Sequence, residues 1–199
     1  MENGRDSVSC VLIGDDNVGK SCLVKVLTDG KFLKEVSKTI QESYSKLVVF
    51  REKCINLIIH ETAGEDKYKI LRSLWYSGSD IAIICFSTVD RASFENIFSK
   101  WLPEITQYFK GKPILLVGTK SDLKKGSVKN PLQRRSSIVS FNEGCRAAEE
   151  IGAAFYLECS SRKDSQSVWN VFEKSIELTF LPQQFQLKKK KINKTCSIQ

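Results

Sequence analysis

The sequence has little that points to metal, disulfide or membrane-spanning chemistry. Its one histidine, His60, ends an apolar stretch and has no partner at metal-ligand spacing, so a packed or capped residue is expected there rather than a ligand. Seven cysteines (10, 22, 54, 85, 145, 159 and 196) are scattered, odd in number and never in a C-x-x-C pair. Neither a zinc site nor a disulfide framework is expected from that pattern, which suits a reducing, cytosolic compartment. No run of eighteen apolar residues occurs, and no charged-then-apolar leader opens the chain, so neither membrane spanning nor secretion is expected. No internal repeat is evident. Acid is missing from residue 188 onward, where five lysines lie at 188, 189, 190, 191 and 194. The formal charge of the 199 residues is +8, yet without those lysines 26 basic residues face 23 acidic ones. The charge is therefore a property of the tail. A tail of this kind reads as a solvated or membrane-directed segment, and no nucleic-acid partner is expected.

What is present centres on Gly14-Asp15-Asp16-Asn17-Val18-Gly19-Lys20-Ser21, which fits G-x-x-x-x-G-K-[ST]. An apolar, β-branched run, Val8 to Ile13, leads in, and an amphipathic run with Cys22, Leu23, Val26 and Leu27 leads out. Strand, turn and helix is the order a phosphate cradle requires. Glycines let the backbone bend until successive N–H groups face phosphate oxygens, and the helix N-terminus adds positive potential. In that arrangement Lys20 reaches the β- and γ-phosphates and the Ser21 hydroxyl ligates Mg²⁺. Cys22, beside Lys20 and a helix N-terminus, is read as small apolar filler ahead of a redox-sensitive thiol.

The rest alternates strand and helix. Tyr44 to Phe50 and Ile55 to Ile59 read as strands joined by the charged turn Arg51-Glu52-Lys53, followed by a short helix around Lys69 to Leu74. Ile81 to Phe86, Ile114 to Val117 and Ala154 to Leu157 are further strands. Ala92 to Phe109 is a helix in which Pro103 predicts a bend. Glu143 to Ile151 and Ser167 to Phe180 complete the helices, and the basic stretch Lys124 to Ser140 reads as a surface insertion. This order predicts an α/β fold, a P-loop NTPase with a mostly parallel six-stranded sheet and helices on both faces. The expected organisation is a disordered 1–7, a domain over 8–181 with an insertion near 124–140, and a basic tail over 182–199.

Four further segments narrow the ligand. Thr119-Lys120-Ser121-Asp122 has the form T-K-x-D, and an aspartate can accept both N1–H and N2–H of guanine, which adenine does not offer on that edge. Glu158-Cys159-Ser160-Ser161-Arg162 resembles E-C-S-A-K, Glu61-Thr62-Ala63-Gly64 resembles D-T-A-G, and Lys38-Thr39-Ile40-Gln41-Glu42-Ser43-Tyr44 resembles a switch I segment. With these motifs the chain resembles the small GTPases over nearly its whole length. Within them it resembles the Rho/Rac type, through Phe94-Glu95-Asn96-Ile97, Trp101-Leu102-Pro103-Glu104-Ile105 and the insertion near 124–140.

The resemblance implies a GTP/GDP switch with Mg²⁺, acting as a monomer on effectors of membrane and actin signalling. It also implies exchange factors, a GDP-dissociation inhibitor and activating proteins as partners. Catalytic roles fall on Lys20, Thr39 and Glu65. Nucleotide contacts fall on Asp16, Asn17, Val18, Gly19, Lys20, Ser21, Cys22, Phe32, Thr39, Gly64, Thr119, Lys120, Asp122, Ser160, Ser161 and Arg162. Ser21 and Thr39 would ligate Mg²⁺ directly, with Glu61 acting through water, and Ile40, Glu42 and Tyr44 would meet effectors.

Five departures from the family pattern stand out. Asp16 replaces a glycine, Val36 a tyrosine, Glu61 an aspartate and Glu65 the water-orienting glutamine, while Ser161-Arg162 replaces Ala-Lys. Nucleotide binding is expected to survive them and hydrolysis to be slow. Cys196-Ser197-Ile198-Gln199 fits C-a-a-X, and its terminal glutamine favours farnesyl at Cys196. With the lysines this places the protein in the cytoplasm and at the anionic inner leaflet of the plasma membrane.

Overall fold

The computed structural model describes residues 6–32, 34, 39–125 and 137–180. Val36, the tail with Cys196 and most of the basic segment 124–140 lie outside them. Six strands form one sheet: β1 (Ser7–Ile13), β2 (Gln41–Phe50), β3 (Lys53–Thr62), β4 (Ile81–Ser87), β5 (Ile114–Thr119) and β6 (Phe155–Glu158). Their order is β2-β3-β1-β4-β5-β6, with only β2 antiparallel to its neighbour. β2 and β3 turn through Arg51 (φ 46°) and Glu52 (φ 67°), with Phe50 opposite Lys53. Positive φ at both central residues is what a two-residue hairpin matched to strand twist needs.

The central strands are apolar without interruption because both of their faces are covered. Along β4, Ile81, Ile83 and Cys85 enter one core, and Ala82, Ile84 and Phe86 enter the other. The first core is closed by α1 (Lys20–Asp29) and the last helix described, α6 (Ser165–Phe180), through Leu23, Val168, Phe172 and Ile176. The second is closed by α2 (Lys69–Gly78), α3 (Arg91–Asn96), α4 (Leu102–Ile105) and α5 (Phe141–Ile151), through Tyr76, Phe94, Ile105 and Ile151, with Ile97 and Trp101 from the turn between α3 and α4.

Two helices differ from the sequence expectation. α2 runs to Gly78 rather than stopping near Leu74, because fully buried Tyr76 anchors its last turn. The predicted single helix over 92–109 is interrupted by a π turn, Ile97–Trp101, just ahead of Pro103. Proline has no N–H for the carbonyl four residues back and its ring crowds that carbonyl, so the distortion falls on the preceding turn.

The basic segment rejoins the body before α5. Val139 is fully buried and its N–H donates to Thr88 O at 2.9 Å. Ser140 and Glu143 then cap α5 reciprocally, and Arg91 Nη1 reaches Glu143 Oε1 at 2.8 Å. The bonds from Arg91 and the Ser140 backbone hold the Glu143 carboxyl down at about 2. A lowered carboxylate pKa gives stability that is complete above the unfolded value and lost as pH falls through the folded one. The side chain is 38% exposed, so screening limits the contribution to about 1 kcal/mol. Glu143→Gln is expected to lose that amount at pH 7 and to flatten the acid limb of a denaturation profile between pH 5 and 2. Unchanged pH dependence in the variant would contradict this role.

His60 is packed, as expected. Its ring stacks on Trp75 at 4.0 Å, Nδ1 meets Ser43 Oγ at 2.8 Å and Nε2 meets Ser9 Oγ at 3.1 Å. Among the described residues no cluster of three or more His, Cys, Asp or Glu is placed to hold a metal, and no helix is long and apolar enough to cross a membrane.

Candidate nucleotide site

The loop between β1 and α1 curls into a cradle at the carboxyl ends of the strands. Gly14 has φ 143°, and a Cβ there would lie 2.2 Å from Cys85 O, so only glycine lets the loop pass this close to β4. Asn17 (φ 60°) and Gly19 (φ 110°) complete the bend into α1. Lys20 is buried and folds back along the loop, donating from Nζ to Gly14 O at 2.8 Å and Asp15 O at 2.7 Å. Burial lowers its pKa, and neighbouring charges including Glu61, Asp16 and Asp15 oppose that shift. The loop after β5 is bonded to the cradle: Thr119 Oγ1 donates to Val18 O, and Lys120 Nζ to Asn17 O at 2.5 Å.

These segments enclose a cavity of about 640 Å³, a size suited to a nucleotide. Asp16, Asn17, Gly19, Lys20, Ser21, Cys22, Phe32, Thr39, Thr119, Lys120, Asp122, Ser161 and Arg162 all line it, with Lys34 and Glu61. At one end Asp122 Oδ1 accepts from Ser160 Oγ at 2.7 Å, and Ser160 Oγ in turn accepts Lys163 N–H at 3.1 Å. Ser160 and Val18 therefore support the wall from behind. Cys22 is half-buried, and burial raises its thiol pKa more than Lys120 lowers it, as suits filler.

At the other end three side-chain oxygens converge. Ser21 Oγ donates to Glu61 Oε1 and lies 3.4 Å from Thr39 Oγ1. Glu61 Oε2 is buried without a hydrogen bond among the described residues. An all-oxygen group with one orphaned carboxylate oxygen fits a hard divalent cation, so Ser21, Thr39 and Glu61 are suited to hold Mg²⁺.

The residues after β3 are held by the protein itself. Gly64 N–H donates to Asp16 Oδ1 at 2.7 Å, and a Cβ at Gly64 would meet Asp16 N at 2.4 Å. Lys100 Nζ donates to Gly64 O at 2.7 Å and pairs with Asp66 Oδ1 at 2.6 Å. Glu65 does not line the main cavity. It faces a neighbouring open groove with Asp16, Gly64 and Lys100, and its Oε2 pairs with Lys67 at 2.9 Å. The effector candidates lie on and beside the edge strand β2. Ile40 is half exposed, Glu42 is exposed, and Tyr44 OH donates to Glu42.

Sequence reasoning missed the supports of this arrangement. Asp15 fills a variable position of the motif, yet Trp101 Nε1 reaches its Oδ1 at 2.8 Å and Asn96 Nδ2 its Oδ2 at 2.6 Å. Buried Arg72 donates to both oxygens of Glu104 at 2.8 Å, to Ala63 O at 2.9 Å and to Glu65 O at 2.6 Å. Burial opposes charge on Glu104, but the bonds from Arg72 and Tyr76 outweigh it and hold the carboxyl low. Arg72→Met leaves a buried, unpaired carboxylate and two bare carbonyls, and is expected to cost about 3–5 kcal/mol. Adding Glu104→Gln should recover part of that loss in urea unfolding; identical losses for the single and double variants would contradict the coupling.

A phosphate cradle, an acidic base-end acceptor and an oxygen cluster thus share one cavity on a six-stranded, mostly parallel sheet. The sequence matches the Ras family over residues 9–180. Ras-family domains bind GTP and GDP with Mg²⁺, hydrolyse GTP, and act as switches read by effectors and regulators. The chain belongs to the Ras family and is a small GTPase.

Proposed function

We propose that this GTPase is a Rho-type switch that hydrolyses GTP slowly and works from the cytoplasmic face of the plasma membrane. The observation that carries the slow hydrolysis is the Asp16 carboxylate on the Gly64 N–H. In the GTP state that amide is the one expected to answer the γ-phosphate, and here a fixed anion already occupies it. Glu65, at the position of the water-orienting glutamine, is turned onto Lys67. The same contacts favour a second reading, a GTP-loaded scaffold of this fold that scarcely turns over.

The Rho-type assignment rests on Phe94-Glu95-Asn96-Ile97, the Trp101 to Ile105 stretch and the basic segment near 124–140. With it come effectors of actin organisation meeting Ile40, Glu42 and Tyr44, together with exchange factors and a GDP-dissociation inhibitor. Nucleotide extracted from the purified protein tests the whole reading. Guanine nucleotide with a substantial GTP share is expected; GDP alone would count against slow turnover, and adenine nucleotide against the base assignment.

Membrane attachment follows from Cys196 and the five tail lysines. One lipid chain binds reversibly, and the lysines add at most about 5 kcal/mol on anionic lipid, at about 1 kcal/mol each. Cys196→Ser is expected to make the protein soluble in cell fractionation. The lipidated form should leave vesicles as salt rises. Membrane association of the serine variant at high salt would contradict the anchor.

A further inference from the structure

We infer that the end of the β2–β3 hairpin is the surface by which the folded domain rests on an anionic membrane, with the nucleotide cavity turned away from the lipid; this rests on the reading of Cys196 and the tail lysines as the membrane anchor. β2 is an edge strand of the sheet. Its side chains alternate, and Val48 is buried in the first core, so Leu47 and Val49 are turned to the other face. There they are 75% and 67% exposed, opposite Asn56 and Cys54 of β3. An outward strand face normally carries polar residues, and an edge strand normally carries charge. Here two neighbouring aliphatics stand open to solvent instead.

Their surroundings point to lipid. The chain that carries the lysines and Cys196 leaves the domain at this hairpin. Phe180, at the end of α6, stacks on Phe50 with ring centroids 6.2 Å apart, and Arg51 Nη2 stands 4.0 Å from Glu177 Oε1. Whatever path residues 181–195 take, the lipid is tethered from beside Phe50 and not from beside the cavity. The turn adds Arg51 and Lys53, both exposed, against one acid, Glu52. Aliphatic side chains flanked by cations on long apolar stems suit the headgroup boundary of an anionic bilayer, where the aliphatics bury and the cations stay with phosphate. The tail lysines supply attraction, and Leu47 and Val49 supply the apolar grip. β3 runs ten residues from Lys53 at the turn to Thr62 near Gly64, about 30 Å at strand rise. A domain held at the turn therefore presents Thr39, Gly64 and the nucleotide to the cytoplasm. Ile70 and Leu74 are exposed too, but on α2, which starts directly after the Asp66–Tyr68 turn at the cavity end.

Vesicles of phosphatidylserine and phosphatidylcholine test this on the full chain, farnesylated and GDP-bound. Leu47→Gln combined with Val49→Gln is expected to weaken vesicle binding by about 10-fold or more, the scale of partly burying two aliphatic side chains. Ile70→Gln should bind as the wild type does. Hydrogen exchange should slow across residues 45–54 when vesicles are added, and stay unchanged across α5, which packs against β6 at the opposite edge of the sheet. Equal vesicle binding by the double variant and the wild type would overturn the inference, leaving the exposed pair to a protein partner and the lipid anchor standing. Protection of 45–54 that is present without vesicles, and lost when residues 181–199 are removed, would overturn it by showing that the tail covers the pair. A farnesylated wild type that stays off the vesicles would overturn the inference and the anchor together.

Discussion

Alanine at Asp122 is expected to weaken GDP binding by about 10²- to 10⁴-fold, with little effect on the fold. Asp122 sits in a short 3₁₀ turn, Ser121–Lys125, and Ser121 N–H is tied to Cys159 O at 3.1 Å. Its Oδ1 is oriented by Ser160 Oγ, which is itself fixed by Lys163 N–H. The carboxylate is thus set before ligand arrives, and binding loses little to its ordering. Guanine offers it N1–H and N2–H, and bonds to a charged acceptor are worth about 1.5–3 kcal/mol each. Two of them give about 3–6 kcal/mol, which corresponds to the stated range of affinity. Titration with a fluorescent GDP analogue, with ATP as competitor, measures it. Ser160→Ala should give a smaller loss of the same kind, since it only frees the carboxylate to wander. Displacement of GDP by ATP as readily as by GTP in the wild type would contradict the base assignment.

Glycine at Asp16 is expected to raise hydrolysis stimulated by an activating protein by at least about 10²-fold. Stimulation by an arginine finger is worth 10³- to 10⁵-fold, or about 4–7 kcal/mol of barrier, so the whole effect depends on close approach to the γ-phosphate. In the function proposed above, that approach is obstructed at its centre. The Asp16 carboxylate lines the cavity, takes the Gly64 N–H and adds negative charge beside the phosphate position. An incoming guanidinium would meet that carboxylate before the phosphate. Removing it frees the amide and the space together. Glu65 contributes separately, because it pairs with Lys67 and lies outside the main cavity. Adding Glu65→Gln to Asp16→Gly should therefore raise the stimulated rate further, while Glu65→Gln alone should do little.

The bend of the cradle, the place of Asp122 after β5 and the alternation of strands with helices were legible in the sequence because each depends on residues close together in the chain. Gly14, Asn17 and Gly19 bend a loop locally, and Ser21 follows by register. The apolar runs of β1, β4 and β5 announced strands covered on both faces. What escaped was held across long separations. Trp101 reads as one more member of an apolar stripe, and nothing local says that its indole reaches Asp15, 86 residues away. Arg72 and Glu104 read as polar residues on two helices, although they meet in the core and hold the segment that carries Gly64 and Glu65. Pro103 announced a bend, but its form, a π turn carrying Trp101, depends on packing against the loop after β1. Asp16 stood out as a departure from the family pattern. Its partner, Gly64 N–H, emerged only when the two loops were placed side by side.

Single-turnover GTP hydrolysis, with and without a Rho-type activating domain, tests the central claim most directly when run on wild type and Asp16→Gly in parallel. Slow wild-type turnover that the domain barely changes is predicted, with strong stimulation of the glycine variant. Wild type stimulated as strongly as the glycine variant would contradict the role given to Asp16.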